Sequence, residues 1–139
     1  MKNVAIAITI LGLAVTSASP AFAIKQLNDQ FKKVYAGDDA NAEFKDLVTA
    51  AKCNVCHISK TSKKKRNVYG KALHEALEVA EKAGEFDLKE FKKDQDKYAK
   101  KLKEIFGAVA KAESGDSEHK TFADRMKANL LPGGDKDGK

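Results

Sequence analysis

The chain has two cysteines, three residues apart and followed at once by a histidine: Cys53-Asn54-Val55-Cys56-His57. Bridged to each other they would close a tiny loop and restrict the unfolded chain very little, so no disulfide framework staples this fold. Stability must come from apolar burial or from a group that the motif itself binds. The N-terminus sharpens the point. Lys2 precedes an apolar stretch, Val4 to Val15, and then a run of small and polar residues ending in Ala21-Phe22-Ala23. That order is the pattern of a secretory signal peptide over residues 1–23, with the mature chain starting at Ile24. The other use of such a stretch is a retained anchor, but its apolar core is shorter than the roughly 20 residues a spanning helix needs. No stable membrane span is expected after cleavage. Outside the cytoplasm a neighbouring thiol pair tends to oxidise, so something must use it locally.

Residues 24–139 read as helix after helix. Ile24, Leu27, Phe31, Val34 and Tyr35 recur at helical spacing up to Gly37. Asn41 is placed to cap a second helix with Phe44, Leu47, Val48 and Ala51 on its apolar face, running directly into Cys53. A lysine-rich loop spans residues 58–66. Asn67 then caps a third helix bearing Tyr69, Leu73, Ala76, Leu77 and Ala80, ended near Gly84. Asp87 with Glu90 forms a capping-box pattern opening a long fourth helix, Asp87 to about Ala112. Thr121 with Asp124 repeats the pattern before a short helix carrying Phe122, Met126 and Leu130. Leu131-Pro132-Gly133-Gly134 ends it, and residues 132–139 are expected to fray. No segment alternates as a strand pair would. The expected fold is all-α, one domain of about five helices over residues 24–131.

On a helical turn, positions i, i+3 and i+4 share one face. Cys53 and Cys56 can therefore reach the two vinyl groups on one edge of a porphyrin, with His57 beneath the iron. C-x-x-C-H is the attachment sequence of covalently bound haem c. Three other uses compete. A thioredoxin-type redox pair needs a strand leading into the motif, and here a helix leads in. A zinc site needs a fourth ligand from His74 or His119, at spacings that match no Cys2His2 pattern. A plain Cys53–Cys56 disulfide stabilises little.

The helix Glu43–Lys52 running into Cys53-Asn54-Val55-Cys56-His57, with the later Asn67-Val68-Tyr69-Gly70 segment, resembles the small monohaem class I-like cytochrome c domain. The resemblance covers residues 41–83. It implies a cytochrome c-like fold around one haem c, single-electron transfer without substrate chemistry, and attachment by a maturation machinery outside the cytoplasmic membrane. The expected location is periplasmic or otherwise exported. The distal half departs from that family, whose methionine ligand sits in a loop ahead of a closing C-terminal helix. Beyond the signal segment the one methionine is Met126, inside a short expected helix, and the long helix from Asp87 would take the closing role.

The sixth iron ligand is open between several groups. Met126 leads as a thioether, although its stripe with Phe122 and Leu130 equally fits core filler. His74 lies on the flank of the third helix, and His119 in a polar linker; a lysine, a tyrosine or an open iron completes the range. Methionine ligation raises the potential and bis-histidine ligation lowers it, and ligand choice moves haem potentials over about 0.8 V. An open iron would bind small gases or peroxide, making a sensor or weak peroxidase.

The formal net charge is +6, and cleavage after residue 23 removes only Lys2 of the charged residues. Lys60, Lys63, Lys64, Lys65 and Arg66 follow the motif closely. They read either as a patch that steers an acidic redox partner or as a solvated loop. Nucleic acid is not an expected partner, because no aromatic platforms interleave the basic residues.

Overall fold

Side-chain caps decide where the helices begin. The computed structural model describes residues 25–62 and 64–139, so the expected signal segment and its cleavage site lie outside the described residues. Among the described residues there are six α-helices: α1 Lys25–Tyr35, α2 Ala42–Ala51, α3 Val68–Lys82, α4 Leu88–Lys93, α5 Asp96–Ala110 and α6 Phe122–Lys127. A single 3-10 turn, Lys52–Val55, follows α2. The all-α class holds, with two isolated bridges and no strand among the described residues. None of the described helices is long and apolar enough to cross a membrane.

Asn41 Oδ1 accepts from Glu43 N at 2.8 Å, and Asn67 Oδ1 from Gly70 N at 2.8 Å. Thr121 and Asp124 make the full reciprocal box, each side chain accepting the other's backbone N–H at 3.1 Å. Asp87 accepts from Lys89 N and Glu90 N, as a cap should. Glu90, however, takes the Tyr98 hydroxyl at 2.8 Å and the Lys97 ammonium.

The long fourth helix expected from Asp87 is two helices. Asp94 is extended (φ −137°, ψ 95°), and its carboxylate accepts from Lys97 N at 3.2 Å, starting a new helix. Packing explains the break. On one straight helix Phe91 and Tyr98 would stand about 10 Å apart along the axis. Here their ring centroids are 6.5 Å apart, and both rings pack on Phe86 at 5.6 and 5.3 Å.

α5 does close the fold, packing on both α1 and α3. The core between them is aromatic: Phe31 meets Tyr69 and Phe106 edge-on, and Tyr69 meets Phe122 at 5.2 Å. Phe31, Tyr69, Phe106 and Phe122 are all fully buried. Burying side chains of this size contributes roughly 1.5–3 kcal/mol each.

The expected frayed end, residues 132–139, is instead docked on the cysteine motif. Pro132, Gly133 and Gly138 are buried. Arg125 holds the approach, donating to Leu131 O at 2.9 Å and Gly134 O at 3.3 Å while pairing with Asp116. Polar composition conceals a segment fixed by hydrogen bonds to its backbone together with the buried Pro132.

Candidate cofactor site at the cysteine motif

α2 stops one residue short of the motif. Lys52 has a positive φ of 51°, uncommon for a side chain of its kind, and turns the chain out of the helix. The motif therefore sits on a tight turn rather than on α2 itself. Its helical geometry survives: Cys53 O accepts from both Cys56 N (3.2 Å) and His57 N (3.0 Å). Cys53, Cys56 and His57 consequently line one cavity. The residues between them divide the work. Val55 is buried in the core, and Asn54 Nδ2 reaches Lys136 O at 3.1 Å.

Asn67 fixes the turn to α3. Its Nδ2 donates to Asn54 O (3.1 Å) and Val55 O (3.0 Å), its backbone N–H to Cys56 O (3.0 Å), and its Oδ1 caps α3. Gly70 then passes so close that a Cβ there would stand 2.0 Å from Cys56 O. Only glycine permits that approach. From the other side the C-terminal segment straps the motif. Ser59 N donates to Asp137 O at 2.8 Å, and a Cβ on Gly138 would lie 2.0 Å from His57 O. Gly133 leaves no room for a Cβ against the Asn67 amide. Sequence reading treated Asn67 as a helix cap alone and missed the strap. The available signal was glycine at 133, 134 and 138 within a run otherwise rich in charge.

The cavity, about 220 Å³, runs between the motif turn, α1 and α3. Leu27, Leu73 and Leu77 give it apolar walls, Asn28 and His74 add polar groups, and Lys60, Thr61 and Arg66 border it. The lysine-rich run thus adjoins the motif; Lys60, Lys64 and Lys65 are exposed and Arg66 is half-buried. Burial, with Cys53 nearby, pushes the Cys56 thiol up to about 12, and Arg66 opposes this only partly. This thiol is thus protonated at neutral pH. Burial and then Arg66 lower the His74 pKa against the opposing pull of Glu78, keeping the imidazole neutral. Asn28 Oδ1 is buried at this cavity without a hydrogen-bond partner.

The other expected ligands are placed differently. Met126, the leading candidate to face His57, lines a separate cavity of about 330 Å³ with Tyr35, Phe44 and Ala123. Its thioether packs against the core, because the stripe shared with Phe122 turns α6 toward the aromatic cluster. His119 is half-buried in its linker, Nδ1 3.4 Å from Asp116 Oδ2. His74 alone of these three lines the motif cavity. Cys53 and Cys56 are not bridged, and among the described residues no three His, Cys, Asp or Glu side chains converge to hold an ion. Compared with protein-family models, characterised proteins and solved structures, the chain matches none.

Proposed function

We propose that this chain is an exported monohaem c-type cytochrome that passes single electrons between redox partners. The observation that carries the reading is that Cys53, Cys56 and His57 all line one apolar-walled cavity. The residues fit the group. Two unbridged thiols, an imidazole on the same turn, leucine walls and the buried, unpartnered Asn28 Oδ1 all belong to that cavity. Bound there, haem supplies a one-electron ferrous–ferric couple.

Each thiol would supply its sulfur and its proton to one vinyl group of the ring, an addition that needs no oxidant. Cys53 and Cys56 would hold the ring edge, and His57 would serve as proximal ligand. Asn67, Gly70 and the C-terminal strap fix the backbone that carries His57, while Leu27, Leu73 and Leu77 exclude water. Lys60 and Arg66 border the cavity, and the exposed Lys64 and Lys65 share their loop, suited to an acidic docking surface on a partner. A second reading, an open iron that binds gases or peroxide, is favoured by the distance of Met126 from the motif cavity.

Expression of the full chain in a host with c-type maturation tests the proposal. Expected are a periplasmic protein beginning at Ile24, a mass increase of one haem, and a c-type α band on reduction. A purified protein of unmodified mass with no such band would overturn it. Carbon monoxide separates the two readings: a carrier's ferrous spectrum does not change, and an open iron's does.

A further inference from the structure

We infer that His74 is the sixth ligand, so that the motif cavity closes as a bis-histidine site; this rests on the haem reading above. Three observations converge on it. First, His57 and His74 line the same cavity from different elements, the motif turn and α3. Gly70, Leu73, His74 and Leu77 follow helical spacing, and all four line that cavity.

Second, the placement of His74 is tied to the motif itself. Asn67 bonds the carbonyls of Asn54, Val55 and Cys56 at one end of α3. Gly70 packs on Cys56 O without clearance for a Cβ, and His74 stands one helical turn further along. α3 therefore cannot slide or roll independently of Cys56 and His57. A ligand pair needs that fixed relation.

Third, the competing donors other than Lys60, which borders this cavity, are elsewhere. Met126 is in the other cavity, His119 sits beside Asp116, and the Tyr69 ring is packed between Phe31 and Phe122. Glu78 adds a supporting carboxylate, its Oε1 3.5 Å from His74 Nε2, so that ligation would fall to Nδ1. A carboxylate against a ligand imidazole fixes the ring's orientation and raises its basicity.

The purified holoprotein provides the test, through optical, electron-paramagnetic and near-infrared dichroism spectra. The wild type should be low-spin in both oxidation states, lack a near-infrared sulfur-to-iron band and ignore carbon monoxide. His74→Ala should turn the ferric iron high-spin and let the ferrous form bind carbon monoxide, and added imidazole should restore the low-spin spectrum. His74→Met provides a second variant and should introduce a sulfur-to-iron band or a high-spin iron. Met126→Ala should leave the wild-type spectrum intact. Haem present, with a His74→Ala spectrum identical to wild type, overturns this inference alone. A wild-type sulfur band abolished by Met126→Ala overturns it in favour of Met126. A wild type carrying no haem overturns the haem reading, and this inference with it.

Discussion

The aromatic core and the cysteine motif are held by opposite means. Around Phe31, Tyr69, Phe106 and Phe122, stability comes from burying large rings, a force without direction that accepts any well-filled arrangement. Around Cys53–His57, directed hydrogen bonds from Asn67 and Ser59 meet two glycines whose missing side chains leave the backbones in direct contact. The core end should tolerate changes of shape that keep volume. The motif end should tolerate changes of side-chain chemistry at the cysteines, but not at the residues that fix its backbone. The difference teaches that the neighbours of the motif turn bear on its backbone and not on its sulfurs.

The strongest test of that contrast is Cys53→Ser combined with Cys56→Ser. Covalent haem should be lost completely, as read by mass and haem stain, while the melting of the haem-free chain shifts little. A collapse of the haem-free fold would show that the thiols themselves hold the turn. Next in size is the pair Asn67→Asp and Leu102→Met. The aspartate is isosteric but removes both donors to Asn54 O and Val55 O in a buried setting, costing about 3 kcal/mol in denaturant unfolding. Leu102, also fully buried, should accept methionine for under about 1.5 kcal/mol. Equal costs at the two sites would erase the distinction.

A smaller effect belongs to Thr121→Ala. It removes the cap of α6 and should cost about 1 kcal/mol, lowering the thermal midpoint by a few degrees. The smallest concerns acid. Backbone N–H groups of Lys139 and then Asp137 hold the Asp135 carboxyl below its usual value. Its contribution is complete above the unfolded aspartate pKa of about 3.9 and is lost as pH falls through the lower folded value. The strap should therefore loosen in acid, seen as a lower protection factor for the Ser59 amide relative to its intrinsic exchange rate. Asp135→Asn should flatten that pH dependence.

Much of this was legible before folding because it is local. Asn41, Asn67, Asp87 and Thr121 announce their helices through bonds spanning two or three residues. The single helix expected over Asp87–Ala112 failed because its periodicity is continuous across Asp94. The break comes from Phe86, whose contacts with both Phe91 and Tyr98 lie outside that pattern. Met126 was weighed by its chemistry as a ligand, and its distance from the motif depends on how α6 docks. The strap was missed because composition registers charge and flexibility, not a carbonyl such as His57 O waiting 81 residues upstream of Gly138.

The sequence by itself determined the helical class, most helix starts, and the common face of Cys53, Cys56 and His57, since all follow from short-range geometry. Tertiary structure alone decided which residues look across at that face. Gly70 and Asn67 lock α3 against the motif, the tail straps it from behind, and His74 rather than Met126 lines the cavity. Those relations join segments distant in the chain through close packing and directed bonds, and no local pattern of residues encodes which surfaces will meet.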